Sequence, residues 1–302
     1  MKKDFLSVYD LDRADFEVIF EKAHKLKKML KEGVPHTPLS GKTLGMIFEK
    51  SSTRTRISFE VGIYQLGGMA LFLSSRDTQL GRGEDIPDTA RVMSRYLDAV
   101  VIRTYSQQFV EEFARYATIP VINGLTDREH PCQIVSDLFT VKEKKGSFVG
   151  LKVAYVGDGN NVANSWIDAA ARLPFQISLA CPEKYEPDAE ILERAMKGAG
   201  KGISVHRDPF DAVKDADVIY TDVWTSMGQE AEKEERTRIF KAYQVNNEML
   251  AQARKDVIVM HCLPAHRGEE ITDEVIDGPH SVVIDQAENR LHVQKAIMEI
   301  LI

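Results

Sequence analysis

The stretch FEKSSTRTRISFE, from Phe48 to Glu60, interleaves the hydroxyls of Ser51, Ser52, Thr53 and Thr55 with the guanidiniums of Arg54 and Arg56. Apolar residues precede it at Leu44, Met46, Ile47 and Phe48, and Ile57, Val61, Tyr64 and Leu66 follow at helical spacing. The cluster therefore lies where a strand gives way to a helix. A helix N-terminus carries about +0.5 of an elementary charge, and a cation placed there loses about 0.3–1 kcal/mol. An anion between the arginines reverses that sign, because backbone N–H groups, hydroxyls and guanidinium forks then converge on one phosphate. The plainer reading is a Ser52 or Thr53 helix cap with both arginines in solvent. Interleaving of the two residue types, rather than their separation, favours the phosphate.

Further polar clusters follow other apolar runs. Arg103 directly succeeds AVVI and is either a strand-end surface residue or a second ligand for the same anion. His130, Cys132 and Gln133 surround Pro131, a residue suited to the first turn of a helix. His130 could donate to a carbonyl oxygen and Gln133 could bond an amide; a lone histidine at such a place is more often structural. VGDGNN has two glycines after a strand, but Val162 stands where the dinucleotide fingerprint needs its third, and the next strand ends in ACPEK with no acidic partner for a ribose. Asn160 and Asn161 there either bond a small polar substrate or close the turn. Asp222 ends DVIYTD and could hold an ammonium, cap a helix or form an ion pair. Ser226, Met227 and Gly228 read as a turn able to move as a lid, and QEAEKEERTR after it reads as a solvated helix face. Cys262 stands between His261 and Leu263-Pro264. A nucleophilic cysteine needs a base held beside it, which adjacency in sequence does not establish, so a polar role next to a substrate amine is favoured.

The elements that must position these residues alternate. Residues 11–30 carry Leu11, Phe16, Ile19, Phe20, Ala23, Leu26 and Leu30 at helical spacing. Strands are expected at 43–48, 69–73, 99–102 and 119–122, then at 152–156, 176–180, 203–205, 217–221, 257–260 and 282–284, with helical patterns between most of them. Such alternation predicts an α/β fold of two doubly wound parallel-sheet domains joined by bridging helices. The series breaks near KEKKGSFVG, residues 142–150. A helix over 131–145 is expected to bridge the halves, and a last helix from about Ala287 to Ile300 to return to the first. The expected domains are 1–135, joined by the C-terminal helix 286–302, and 148–280. Ligands of doubly wound sheets sit beyond the carboxyl ends of the strands. EKSSTRTR, RTYSQ, NGLTDREHPCQ, GDGNN, DVWTSMGQE and HCLPAHRG all fall there.

Composition bounds the possibilities. A length of 302 residues fits about two domains, and 43% hydrophobic with 28% charged residues is ordinary for a globular chain. A net charge of −7 argues against general nucleic-acid binding, which needs a basic field. Apolar runs are strand-length, so no bilayer-spanning segment is expected. The N-terminus lacks the apolar core and cleavage site of a secretory signal. Cys132, Cys181 and Cys262, without C-x-x-C spacing, read as reduced thiols in a cytoplasmic setting.

Taken together, SSTRTR, HPCQ, DVWTSMG, HCLPA and DQAENRLH resemble, in order and spacing, the motifs of the aspartate/ornithine carbamoyltransferase family, over essentially the whole chain. SMG with HCLP is similar to the ornithine-directed branch. The resemblance implies a carbamoyl-phosphate-binding first domain, an ornithine-binding second domain, closure after binding, and a step of arginine biosynthesis that needs neither metal nor cofactor. Ser52, Thr53, Arg54 and Thr55 would bind the phosphate of carbamoyl phosphate. Arg103, His130 and Gln133, with Pro131 and Cys132 in the same turn, would hold its carbamoyl group, and Cys262, Leu263 and Arg290 would complete the pocket. Gln79 would reach a phosphate in the neighbouring subunit, because family members are built on trimers. Asn161, Asp222, Ser226 and Met227 would hold the amino-acid end of L-ornithine. Catalysis would fall to Arg54, Arg103, His130, Asp222 and Cys262. An aspartate-directed relative would need cationic groups where this chain has SMG and Cys262; an NAD-dependent dehydrogenase would need the glycine fingerprint that is broken here.

Overall fold

The computed structural model describes residues 3–74, 83–199, 202–226 and 230–302. The chain divides into two compact units, Met1–Phe139 with Glu288–Ile302, and Thr140–Ala287. The division falls inside two helices, α5 (Pro131–Lys145) and α12 (Val283–Leu301).

The first unit holds a four-stranded parallel sheet in the order β2-β1-β3-β4: β1 Thr43–Phe48, β2 Met69–Ser74, β3 Ala99–Arg103 and β4 Val121–Leu125. Its helices are α1 (Arg13–Lys31), α2 (Thr53–Gln65), α3 (Ile86–Met93) and α4 (Gln107–Tyr116). β3 is buried along its whole length, as a strand covered on both faces must be. Ile47, Val100, Ile102 and Val121 pack with Val110 and Phe113 of α4. Burying each such side chain contributes about 1.5–3 kcal/mol, and this holds the strand ends in register.

In the second unit the parallel sheet runs β7-β6-β5-β8-β9. Its strands are β5 Lys152–Val156, β6 Gln176–Ala180, β7 Ile203–His206, β8 Val218–Thr221 and β9 Ile258–His261. Helices α6 (Asn161–Arg172), α7 (Ala189–Ala199), α8 (Pro209–Val213), α9 (Lys233–Phe240), α10 (Asn247–Leu250) and α11 (Asp273–Ile276) complete it. Ala154, Val156, Ile219 and Val259 pack against Ala212, Val213, Met249 and Val275.

The order of strand addition reverses once in each sheet, between β1 and β3 in the first and between β5 and β8 in the second. These are the crevices that doubly wound sheets offer to ligands. SSTRTR and Arg103 flank the first, GDGNN and Asp222 the second.

Two strand expectations change. Residues 282–284 are not a strand: Ser281 makes a single bridge to Val259 and α12 begins at Val283. A three-residue apolar run has no period that separates a strand from a first helical turn. β4 runs Val121–Leu125 rather than 119–122, taking in Asn123 and Gly124, which resemble a turn in sequence. The Asn123 side-chain nitrogen donates inside the fold to Leu6 O at 2.9 Å and Gln107 Oε1 at 3.2 Å. Among the described residues, no helix is long and apolar enough to cross a membrane.

Candidate functional site

In the first unit, β1 delivers the chain to α2. Ser52 is the N-cap, its hydroxyl accepting from Thr55 N at 3.2 Å. Both readings of the motif thus begin from one fact: the cap leaves the first-turn N–H groups at Thr53 and Arg54 beyond the helix's own bonding pattern. Thr55 is buried, and its hydroxyl accepts from Arg290 Nη2 at 3.0 Å. Arg290 Nη1 donates to Gln133 Oε1 at 2.7 Å, and Gln133 Nε2 donates to Asp137 Oδ1 at 2.8 Å. Arg290, 235 residues from Thr55, is brought there by α12. A hydroxyl that accepts from a guanidinium keeps its own proton for another acceptor.

Arg103 ends β3 and is buried; its carbonyl accepts from Glu49 N at 2.9 Å, tying the loop after β1 to β3. His130 immediately precedes α5 and is buried. Its pKa lies well below the ordinary 6.5, first because burial disfavours the charged ring, then because Arg290, Arg103 and Arg54 repel it. The charges of three guanidiniums from separate parts of the chain thus act on one imidazole and keep it neutral. Its turn is fixed by Thr126, whose N–H donates to Glu129 O at 2.8 Å while its hydroxyl accepts from Glu129 N at 3.0 Å.

Arg56 does not share this role. Its Nε pairs with Glu60 Oε1 at 2.9 Å, and its guanidinium carbon lies 3.8 Å from the centre of the Phe72 ring. The expectation that both arginines face one phosphate is corrected on this point: two residues along a helix is about half a turn, so Arg54 and Arg56 face different ways. Cys132 is fully buried, with Sγ donating to Asn123 O at 3.4 Å and its pKa pushed up to about 12 by burial. Its thiol belongs to the packing of β4, so only its main chain is left to face a ligand.

Lys50 was not singled out in the sequence. Its ammonium pairs with Asp127 and sits 4.3 Å from the centre of the Tyr105 ring, joining the loops after β1, β3 and β4. A lysine next to SSTRTR looks like any exposed one until the fold buries it.

In the second unit, Asp222 follows β8 and is buried. It accepts from Asn160 Nδ2 at 2.8 Å, Cys262 Sγ at 2.9 Å and Val223 N at 2.8 Å. It is therefore not a helix cap. Asn160 caps α6, its Oδ1 accepting from Val162 N and Ala163 N, and Tyr155 O–H donates to the same oxygen at 3.1 Å. Asn161 opens α6, half-buried. Ser226 is half-buried four residues beyond Asp222. Leu263 holds φ +58°, a conformation that costs a non-glycine residue energy. Gln79, and Met227 with the SMG lid expectation, lie outside the described residues.

His261 cannot serve Cys262 as a base. Its Nδ1 accepts from Leu263 N at 2.9 Å, so the ring proton sits on Nε2, which donates to the buried Glu270 at 3.0 Å. Donor atoms of Asp222, His261 and Cys262 lie within 4.8 Å of one another, as do those of His266, Glu269 and Glu270. The first set has ligand types that suit zinc, although both ring nitrogens of its histidine are already engaged.

The glycines of GDGNN serve the fold. Gly157 has φ +138°, and a Cβ on Gly159 would stand 2.2 Å from Pro187 N and 2.3 Å from Glu186 C. The close approach that a glycine fingerprint reserves for a pyrophosphate is filled here by the protein's own backbone. Asp158 between them pairs with Arg236 at 2.5 Å. Arg236 corrects the reading of QEAEKEERTR as a solvated face: residues 231–235 are exposed, but this one side chain is 3% exposed.

The chain matches two family models, the carbamoyl-P binding domain of aspartate/ornithine carbamoyltransferase over residues 3–143 and the Asp/Orn binding domain over 149–301. It is 70% identical over 302 residues to an ornithine carbamoyltransferase of Syntrophus aciditrophicus, covering 100% of each chain. It is 58% identical over 302 residues to one of Geobacter metallireducens, again covering 100% of each. Among solved structures, it resembles an ornithine carbamoyltransferase from Pyrococcus furiosus with TM-score 0.94 and 55% identity, covering 98% of this chain and 95% of that one.

Proposed function

This chain belongs to the aspartate/ornithine carbamoyltransferase family, and from that premise we propose how its residues perform the ornithine reaction. The carbamoyl group of carbamoyl phosphate passes to the δ-amine of L-ornithine, giving L-citrulline and phosphate, a step toward arginine. Ser52, Thr53, Arg54 and Thr55 take the phosphate at the start of α2, with Gln79 of a neighbouring subunit reaching the same group. Arg103, His130, Gln133 and Arg290 surround the carbamoyl group. In the second unit, Asp222, Asn161, Ser226 and Met227 receive the amino-acid end of ornithine, with Cys262 and Leu263 beside them.

The carrying observation is the set of buried polar side chains at the strand ends of the first unit: Arg290 bonded to Thr55 and Gln133, with Arg103 and a His130 that burial keeps neutral. Such a set offers several fixed donors to an oxygen that gains negative charge, and asks for no reorganisation when it does. The neutral δ-amine attacks the carbonyl carbon and a C–N bond forms. The carbonyl oxygen becomes an oxyanion held by Arg54, Arg103, His130 and the Thr55 hydroxyl. The C–O bond to phosphate then breaks, and the departing phosphate takes the surplus amine proton. A free alkyl amine has a pKa of about 10.4, so binding must favour its neutral form, as positive charge nearby does.

Citrulline formation from carbamoyl phosphate and ornithine tests this reading, with aspartate and putrescine as rival acceptors. Turnover with aspartate in preference to ornithine would overturn it. Arg54→Ala should lose activity by several orders of magnitude with the fold intact by circular dichroism; near-normal turnover would remove the phosphate cradle.

The proposal includes a homotrimer and a cytoplasmic setting. Supporting the first, Ile57 and Tyr64 of α2, Met69 and Leu71 of the edge strand β2, and Val92 and Tyr96 at α3 are exposed apolar side chains on the unit that carries SSTRTR. Exposed apolar side chains on and beside an unpaired edge strand suit association with another chain.

A further inference from the structure

Arg236 is the least expected side chain of the second unit. It lies in a run whose neighbours Lys233, Glu234 and Glu235 are exposed, yet it is 3% exposed. A buried guanidinium persists only when its donors are engaged, and these are engaged in a particular way. Nη2 donates to Asp158 Oδ2 at 2.5 Å, Nε to the Trp224 carbonyl, and Nη1 to Glu232 Oε2 at 3.5 Å. Its guanidinium carbon lies 4.7 Å from the centre of the Tyr185 ring and 5.3 Å from that of Phe240, and Phe240 stacks on Trp224 at 5.9 Å.

The two main partners sit on the two loops that flank the switch point of this sheet. Asp158 follows β5 and precedes Asn160 by two residues; Trp224 follows Asp222 by two. Asn160 and Asp222 are themselves bonded, at 2.8 Å. Arg236 therefore braces both sides of the contact between the β5 loop and the β8 loop.

We propose that Arg236, with Asp158, is a positioning residue for ornithine: it fixes the Asn160–Asp222 pair in place before the amino acid arrives. This rests on the ornithine reading given above. Pre-set geometry lowers the ordering cost of binding, so the loss should fall on ornithine and not on carbamoyl phosphate.

Steady-state kinetics of the full-length enzyme test it. Arg236→Gln should raise KM for ornithine by about tenfold or more, while KM for carbamoyl phosphate stays within about twofold. Arg236→Lys should recover part of the effect, because an ammonium can reach one partner but cannot span Asp158 and the Trp224 carbonyl together. Asp158→Asn should shift the ornithine KM in the same direction, and the double variant should be little worse than Arg236→Gln alone. Asp158→Asn keeps the side chain's shape, so it carries the same test if Arg236→Gln does not fold. A folded Arg236→Gln or Asp158→Asn enzyme with unchanged ornithine KM, or with both KM values raised alike, would overturn the positioning role. Wild-type protein that made no citrulline would overturn the substrate reading and the positioning role with it.

Discussion

Arg54 and Arg56 are the same residue type two positions apart, and the fold gives them different work. The field of Arg54 reaches the buried His130, while Arg56 pairs with Glu60 and lies over Phe72. Periodicity alone separates them, since residues two apart on a helix do not share a face. Cys262 shows the converse. Beside His261 it has the look of an activated thiol, but the histidine is spent on Leu263 N and Glu270, and the thiol donates to Asp222. Cys262→Ser should therefore keep turnover within about a hundredfold of wild type, whereas losing a covalent nucleophile would cost on the order of 10⁴ or more. A trapped carbamoyl-cysteine seen by mass spectrometry would contradict this.

At the scale of elements, the sheets do most of the positioning. The order of strand addition reverses once in each, and the loops at the reversal carry SSTRTR and Arg103 in one unit and GDGNN and Asp222 in the other. The loops are then tied across: Lys50 to Asp127 and Tyr105 in the first unit, Arg236 to Asp158 and Trp224 in the second. Gly159 sets the approach of the β5 loop to Glu186 and Pro187. Gly159→Ala should destabilise the protein by about 3 kcal/mol or more, because rigid backbone atoms cannot yield to the new methyl. Denaturant unfolding measures it, and a loss below about 0.5 kcal/mol would mean that the loop can move aside.

For the molecule as a whole, pH and association give the readable tests. His130 has a pKa well below 6.5, and that of His292 is lowered to about 4, mainly by burial. Both rings stay neutral when folded and take up protons on unfolding once the pH drops below about 6.5, so their contribution to stability is complete above that pH and is lost as pH falls from there toward the folded values. Asp158 has the opposite slope: burial raises its pKa from 3.8 to about 6, so between those two pH values the native state holds a proton that the unfolded chain has released, and its contribution falls as pH rises through about 6. His292→Gln should flatten the fall in Tm between about pH 6.5 and 4 relative to wild type; an unchanged difference across that range would place its titration elsewhere. Light scattering should give the mass of a trimer, and Tyr64→Glu with Met69→Glu should shift it toward monomer. A wild-type monomer would remove the proposed role of Gln79.

What the amino-acid order settled unaided was the class of fold and the family. Those depend on local signals: apolar runs short enough for strands, helical spacing after each polar turn, and hydroxyls interleaved with arginine at a helix entrance. Tertiary structure decided which members of each cluster meet. Arg290 reaches Thr55 across 235 residues, and Arg236 reaches Asp158 across 78. Burial turned one arginine of a charged run and one lysine beside a motif into struts, and it held His130 neutral. No local pattern encodes these contacts, because the cost of desolvating a charge and the partner that offsets it come from segments the chain brings together only on folding.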